Sequence, residues 1–521
     1  MIRRIIYHPL PDTILSLWLC MFAVELLASF YLCGYRLIFT LDDPYIHLAV
    51  ADHILTGGYG VNRSELSSPS SSIIWPYFLA LTELLHLGPF GPLLINVFAA
   101  VAAVVVLLRL FDEIGLFKRE RLFSWIIAVL SIFVMSTIAL PMTGMEHSLH
   151  VWATVATFTG LVETSRGRRP RPVHFAALVL LPLIRFEGTA FAIAAIGGFA
   201  LLGQRRFAAW AAATILCCFA AYFALMDLRG LPLLPSSVLL KSRIAGNAYE
   251  GTSVFGSVFH HLIASLENPY GSRLALLGLA VAFGAWFLRA DRRTLVVCAT
   301  VLLAVGAHLA FGEYDWFHRY EVYIVALAAL ALLYVAVLAR PSLNALQWTA
   351  VRIGVVLLTA YVAAPYFSAA LQTPFAARNI YEQQYQMGVF AKQLYQHPVA
   401  VNDLGLVAYK NPNFVLDLWG LGSEKVRKAR LAGQYGPDQM AALADEYQVG
   451  VVMIYDSWFP EGIPSSWKKV AILHTDRVTA AVGDVSIYRT AAADGGQIDE
   501  ALRAFRDVLP PRVRLEIVSR L

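Results

Sequence analysis

The stretch Ile73-Ile-Trp-Pro-Tyr-Phe-Leu-Ala-Leu-Thr-Glu-Leu-Leu-His-Leu87 decides how this chain is arranged. It is apolar, but a serine-rich run at 67–72 bounds it on one side, and Gly88-Pro89 and Gly91-Pro92 bound it on the other. A helix needs about 20 apolar residues to cross a bilayer core. This run falls short. Longer apolar segments surround it, near 13–33, 91–109, 122–141, 145–163, 172–187, 188–203, 207–226, 272–289, 294–311, 318–338 and 346–368. If 73–87 lies along the surface, every strongly basic loop falls on one side. These loops hold Arg3/Arg4, Arg109/Lys118/Arg119/Arg121, Arg166/Arg168/Arg169/Arg171, Arg205/Arg206, Arg289/Arg292/Arg293 and Arg340, or 16 of the 25 Lys and Arg in the first 370 residues. Basic loops stay cytoplasmic. The expectation is therefore 11 spans, an interfacial helix on the outer side, a cytoplasmic N-terminus and an outer C-terminus. A full crossing by 73–87 would turn every later cluster outward.

Composition agrees. Of the 521 residues, 58% are hydrophobic and 15% charged, against about 45–50% and 25% in soluble domains. The last 151 residues hold 32 of the 77 charged side chains, so the remainder is too charge-poor to be one soluble core. A soluble enzyme is excluded. The net charge of +5 arises in short loops, while the tail carries 16 basic and 16 acidic residues. A nucleic-acid partner is excluded on that distribution. All five cysteines lie in apolar segments with no zinc or CxxC spacing. The first apolar run lacks a small-residue cleavage site and reads as a retained span.

From about residue 372 the pattern changes. Short β-branched runs at 399–401, 414–416, 449–454, 470–473 and 485–488 alternate with helical stretches at 437–447 and 499–508. The reading is a polytopic α-helical membrane protein with a C-terminal extracytoplasmic α/β domain. Residues 1–370 form the membrane domain, with a large first outer loop at 34–90, and 371–521 form the outer domain.

Charges at a membrane edge are costly and point to function. The topology brings Asp42, Asp43, Asp52, Glu65, Glu146, Glu187, Lys241, Arg243, Glu313, Asp315 and Arg319 to the outer face, with His47, His53, His147 and His318 beside them. In Leu41-Asp42-Asp43-Pro44-Tyr45-Ile46-His47, one carboxylate suits a general base and the other acceptor positioning. The same residues read equally as a helix cap, since Asp before Pro is a common helix start. Lys241 suits a lipid phosphate or simple snorkelling. Arg319, opening an apolar helix at Arg319-Tyr320, needs an anion, either a phosphate or Asp315. Arg185 and Glu187 pair with each other or meet substrate. Asn62-Arg-Ser64 matches a glycosylation sequon by spacing alone.

In order along the chain, several tracts resemble a known group. They are Asp42-Asp43-Pro-Tyr45-Ile, Gly57-Gly-Tyr-Gly60, Ser68-Pro-Ser-Ser-Ser72-Ile-Ile-Trp75, Thr143-Gly-Met-Glu146-His147-Ser-Leu149, Arg185-Phe-Glu187-Gly188, Leu234-Pro…Lys241, Arg319-Tyr320 and Asn402-Asp-Leu-Gly405…Val415-Leu-Asp417-Leu-Trp-Gly-Leu421. Together they resemble the polyprenyl-phosphate-sugar-dependent GT-C glycosyltransferases. The likeness is greatest to the arabinofuranosyltransferase-type branch, and more distant to the aminoarabinose and protein O-mannosyl transferases. Phe186 stands where relatives often carry Pro, and His147 where a Thr is common.

The resemblance implies transfer of a sugar from a polyprenyl phosphate to a hydroxyl of a glycan, lipid or protein, at the outer face of a bacterial plasma membrane. By it, Asp42 and Asp43 supply the catalytic base, Asp42 by preference, and Arg319 and Lys241 meet the donor phosphate. Tyr45, His47, Glu146, His147, Arg185, Glu187, Asp315, His318 and Tyr320 are further candidate substrate contacts. Inversion at the anomeric carbon follows if the phosphate leaves directly. The histidines near the acidic pair leave a divalent cation open. A lipid or solute transporter is the alternative class, suggested by the helix break at 185–188, and a non-catalytic scaffold is a third.

Overall fold

A computed structural model describes residues 9–241 and 254–518. All eleven expected spans are helical there. Among the described residues, seven helices are long and apolar enough to cross a membrane: Asp12–Leu32, Phe90–Glu113, Arg205–Leu228, Pro269–Phe287, Arg292–Phe311, Val322–Ser342 and Ala345–Tyr395. Arg121–Val134, Pro172–Ile184 and Gly188–Leu201 are apolar but shorter. The eleventh, His147–Ser165, has 19 residues and is almost wholly buried. Its histidines and threonines face protein, where polar groups find partners. The helix at the decisive stretch, Trp75–Leu84, has 10 residues. At about 1.5 Å per residue it is half the length needed to cross. The chain is a polytopic helical membrane protein with a C-terminal α/β domain.

The last apolar run, 346–368, lies within helical structure that continues without a break from Ala345 to Tyr395. Arg378, Glu382, Gln383 and Gln384 end the apolar run without ending the helix. The last turns include two π-helical stretches, Tyr381–Tyr385 and Phe390–Tyr395.

Contacts divide the chain into two compact units. One comprises Met1–Leu26, Leu93–Ala221 and Arg243–Leu371; the other comprises Leu27–Pro92, Tyr222–Ser242 and Gln372–Leu521. In the first, Val322–Ala339 is the central helix, buried along nearly its whole length. Helices approach closely at small residues: a Cβ on Gly198 would lie 2.6 Å from Thr300, and one on Gly284 would lie 2.6 Å from Val335. At one end of this unit the basic clusters find carboxylates. Glu113 meets Arg166 and Arg168. Glu120 meets Arg340 and Arg352, and Glu163 meets Arg171. Arg293 donates to the Ser165 carbonyl. Arginines of three of the clusters used to orient the spans are thus tied to carboxylates or carbonyls of this unit.

The second unit contains a six-stranded mixed sheet. Its strands are β1 (Val399–Val401), β2 (Val415–Asp417), β3 (Val451–Ile454), β4 (Lys468–His474), β5 (Asp484–Arg489) and β6 (Arg514–Ile517), in the order β2-β1-β3-β5-β4-β6. The first three run parallel; β3/β5, β5/β4 and β4/β6 are antiparallel. Ala400, Leu416, Val452 and Ile454 pack against Val426, Met440 and Leu443 in one apolar core. The parallel strands have their carboxyl ends together, followed by Asn402-Asp403, Leu418-Trp419 and Tyr455-Asp456. Ligand crevices in α/β sheets form at such edges.

Candidate active site

The acidic pair starts the helix Asp43–Ile54, with Pro44 in its first turn. Asp42 does not cap that helix. Its backbone is itself in the helical region and its side chain makes no cap hydrogen bond there. The carboxylate instead accepts the N–H of Gly405 at 2.5 Å and of Leu406 at 2.8 Å. A Cβ on Gly405 would lie 2.1 Å from the Asp42 carbonyl oxygen, so the approach requires glycine. Asp42 is 5% exposed, while Asp43 is half-buried. The preference for Asp42 as base therefore meets a difficulty: both of its oxygens are held by backbone donors.

Asp403, two residues beyond β1, is close enough to Asp42 for their charges to interact. Its Oδ2 accepts Gln384 Nε2 at 2.8 Å and the Tyr455 hydroxyl at 3.1 Å. Gln384 comes from the first π-helical turn, and Tyr455 directly follows β3. The Tyr455 N–H donates to Asn402 Oδ1 at 2.9 Å. Lys392 donates its Nζ to the carbonyls of Leu406 at 2.8 Å and Tyr409 at 3.1 Å, closing the loop from below. Burial is the main cause that raises the Asp42 carboxyl well above the ordinary aspartate value, with the Asp403 charge next; the two backbone donors oppose both. Burial likewise raises Asp403, with the Asp43 charge adding to it and the bonds from Gln384 and Tyr455 opposing. Sequence reading quoted Asn402-Asp403 only as part of a motif, and it missed Gln384, Lys392 and Tyr455. A strand followed by Asn-Asp-x-Gly was the available signal.

Neighbouring polar side chains make protein contacts. The Tyr45 hydroxyl accepts the Phe39 N–H at 3.2 Å and the ring packs near Phe39 and Tyr409. His47 Nδ1 pairs with Ser70 Oγ at 3.1 Å. His53 Nδ1 meets the Gly60 carbonyl at 2.8 Å. Asn62 of the sequon is buried and bonds both N–H and C=O of Val415, each at 2.9 Å. Glu65 accepts Ser423 Oγ and the Glu424 N–H at the start of the helix Glu424–Leu431.

The other unit holds a second charged group. Arg185, between Pro172–Ile184 and Gly188–Leu201, donates to Glu146 at 2.8 Å and forks onto Glu187 at 2.7 and 3.2 Å. Its guanidinium also lies 5.4 Å from the Tyr320 ring centre. Arg319, 2% exposed, stands 5.0 Å from the same ring and donates to the Tyr320 hydroxyl at 3.1 Å. His147 meets Tyr320 edge-on at 6.3 Å. Arg319 precedes the apolar helix, which begins at Val322 rather than at Arg319 itself. Before it, Asp315, Trp316, Phe317 and His318 all have φ between 50 and 71°, a run of left-handed backbone that costs energy at each residue. Glu321 ties this turn by accepting the Asp315 N–H at 2.9 Å, and His318 Nδ1 lies 3.5 Å from Asp315. Arg243 and the Lys241 side chain lie outside the described residues, although the Lys241 backbone ends the helix Ser236–Lys241.

Among the described residues, no group of three or more His, Cys, Asp or Glu is placed to hold a metal ion. Residues 378–488 match a family model described as a domain of unknown function, DUF8728. No curated protein matches the chain. The chain is similar to ArnT from Cupriavidus metallidurans in the apo state, at 13% identity over 92% of this chain and 98% of that one, with a TM-score of 0.47. For the same protein bound to undecaprenyl phosphate the values are 13%, 92%, 99% and 0.46. For the oligosaccharyltransferase of Archaeoglobus fulgidus in the apo form they are 12%, 96%, 76% and 0.46. At this level of likeness, substrate and chemistry have to be argued from the chain's own residues.

Proposed function

We propose that this chain is an integral-membrane glycosyltransferase of the GT-C type. It moves a sugar from a polyprenyl-phosphate donor to a hydroxyl on a glycan, lipid or protein, outside the plasma membrane of a bacterium. The observation that supports this best is the acidic pair, held by the carboxyl edge of the parallel strands through Asp42, with Asp43 beside it and less buried. Residues 1–370 act as the transferase domain, 34–90 as its outer loop and 371–521 as an outer domain that completes the acidic site.

In the proposed reaction the acceptor oxygen attacks the anomeric carbon as its proton passes to Asp43. The bond from that carbon to the phosphate oxygen breaks, and the phosphate leaves with the electron pair. Direct displacement inverts the anomeric centre. Arg319 and Lys241 neutralise the charge growing on the leaving phosphate, where fixed cations lower a barrier most. The helix break at 185–188 kept a transporter in view. Its arginine is committed to Glu146 and Glu187, so the break does not favour that reading.

Purified chain in detergent, given a panel of radiolabelled polyprenyl-phosphate sugars, should consume at least one and release polyprenyl phosphate. Failure with every donor, together with donor flux in proteoliposomes, would replace the transferase with a transporter. A periplasmic reporter after Leu521 should be active, and one within 166–171 silent. The reverse pattern would put the acidic pair in the cytoplasm.

A further inference from the structure

We propose that the carboxyl edge of the parallel strands, where Asn402, Trp419, Arg430, Tyr435 and Trp458 gather, binds a sugar ring of the acceptor. The proposal rests on the transferase reading above and narrows its acceptor from any hydroxyl to one carried by a glycan.

The topology selects this edge. From β1 the chain steps to β2 on one side, then crosses to β3 on the other side of β1. Ligands of open α/β sheets sit outside the strand ends at such a reversal. Asn402 directly follows β1 and Tyr455 directly follows β3. The Tyr455 N–H donates to Asn402 Oδ1 at 2.9 Å. That bond fixes the amide, because only its oxygen accepts. At its other end Asn402 Nδ2 is buried without a hydrogen-bond partner among the described residues, on a side chain 4% exposed. A buried donor without a partner is costly, and a ligand oxygen relieves it.

The loops after β2 and β3 supply two tryptophans. Asp417 ends β2 and accepts the N–H of Trp419 at 2.8 Å and of Gly422 at 2.7 Å, which shapes the turn carrying Trp419. Gly420 in that turn has φ 94°, a conformation glycine adopts without strain. Trp458 ends the 3₁₀ turn Asp456–Trp458 and rests on the apolar core of the domain. Its ring lies 4.8 Å from the Trp419 ring and 5.4 Å from the Tyr455 ring. Both tryptophans keep part of their surface exposed.

Arg430 lies beside Trp419. Its guanidinium is 4.3 Å from the Trp419 ring centre and 4.7 Å from that of Tyr435, and Nη2 donates to the Leu418 carbonyl at 3.3 Å. Arg430 Nε and the Tyr435 hydroxyl are also buried without hydrogen-bond partners among the described residues. This set of groups points to a ligand class. The rings offer apolar contact, and the unmet groups are single N–H and O–H donors. A sugar ring matches both, since its C–H faces pack on indole while the oxygens around its rim accept. A phosphate would call for a guanidinium fork, whereas Arg430 is stacked among rings. Tyr455 links this edge to the acidic group: its ring meets Trp458, its N–H holds Asn402 and its hydroxyl stands 3.1 Å from Asp403 Oδ2. One sugar of the acceptor rests on the tryptophans while an adjoining sugar extends toward the acidic pair.

Saturation-transfer NMR of the full chain, in a detergent without a sugar headgroup, tests the binding with no donor present. The probes are methyl glycosides of common hexoses and pentoses, and the corresponding disaccharides. At least one should bind saturably, with the strongest transfer to the ring protons of one sugar face. Trp458→Leu should weaken that probe about three- to tenfold, the loss of one aromatic contact. Asn402→Asp keeps the oxygen that accepts Tyr455 and turns the unmet donor into an acceptor, so it should weaken the probe at least about tenfold. If Asn402→Asp melts early, Arg430→Lys replaces it, keeping the charge while removing the Nε–H, with an expected loss of about three- to tenfold. In turnover the bound probe should serve as acceptor, and Trp458→Leu should raise its KM in the same proportion with the donor KM unmoved. No saturable transfer from any probe, unchanged affinity in Trp458→Leu and the folded polar variant, or a shift in donor KM alone would overturn the proposal. Binding through these residues with no polyprenyl-phosphate sugar consumed would leave the sugar site standing and sink the transferase reading alone.

Discussion

The Asp42 carboxylate and the Gly405 N–H meet at 2.5 Å across 363 residues of sequence. Local chemistry would have turned this aspartate onto its own helix, where the following proline makes a good start. The donors of a distant turn won instead, because they desolvate together with it and supply two bonds to one side chain. The consequence is a division of labour in the pair, with Asp42 anchoring the loop after β1 and Asp43 remaining nearer to solvent.

That division predicts opposite phenotypes. Asp42→Asn keeps one accepting oxygen but turns an N–H2 toward the other backbone donor. An unsatisfied buried donor costs about 1–3 kcal/mol, so its thermal midpoint in detergent should fall. Asp43→Asn should melt with wild type, yet lose about 10²–10⁴-fold in kcat, the usual cost of removing a general base. Equal turnover in Asp43→Asn and wild type would send the search for the base to Glu146 or Glu187.

Arg185 should behave as a structural hub. It is nearly buried and bridges two carboxylates, one of them through a two-pronged contact. Removing one partner of a buried ionic group costs about 3–5 kcal/mol, so Arg185→Ala should unfold far more easily than wild type. Arg185→Lys should not rescue it fully, since an ammonium lacks the planar fork. A lysine variant with a wild-type melting curve but a raised KM for donor would instead place Arg185 against substrate.

Long apolar runs made the eleven helices legible, and β-branched clusters did the same for β1 to β5. The edge strand β6, Arg514-Leu-Glu-Ile517, alternates charge with apolar residues and offers no such run. The last helix ran on to Tyr395 because helical hydrogen bonding continues through polar residues that hydropathy reads as an ending. At the site, the adjacency of Asp42 and Asp43 was visible, as was the two-residue spacing of Arg185 and Glu187. Asp403, Gln384, Lys392 and Tyr455 were not, since each joins Asp42 only through tertiary contacts. The sequon at Asn62 shows the converse: the spacing matched while the side chain was already committed to Val415.

Glu65 should make stability depend on pH. Burial raises its carboxyl from 4.5 to about 7, against the pull of its bonds to Ser423 and Glu424. A carboxyl raised in the folded state binds its proton more tightly there than in the unfolded chain. Its contribution is therefore fully present below about pH 4.5 and lost as pH rises through about 7. The thermal midpoint should carry a decline between pH 5 and 8 that Glu65→Gln removes, on the order of 1–2 kcal/mol at the upper end. The amide oxygen can still accept both existing bonds. A Gln variant with the same pH slope as wild type would remove Glu65 as its source.

The donor phosphate supplies the last prediction. Arg319 is almost fully buried against Tyr320, and Lys241 closes the short helix Ser236–Lys241. If both meet the lipid phosphate, Arg319→Gln and Lys241→Ala each lose a charge-assisted contact worth about 1.5–3 kcal/mol. Each should then lower kcat/KM for the donor by about ten- to hundredfold. Glutamine fills most of the space of Arg319, so its thermal midpoint should move little. The two losses should also differ in kind. A cation that binds the phosphate equally before and during departure raises KM alone, whereas one that meets only the developing charge lowers kcat. Donor kinetics unchanged in both variants would return Arg319 to its ring contact with Tyr320 and Lys241 to a helix end.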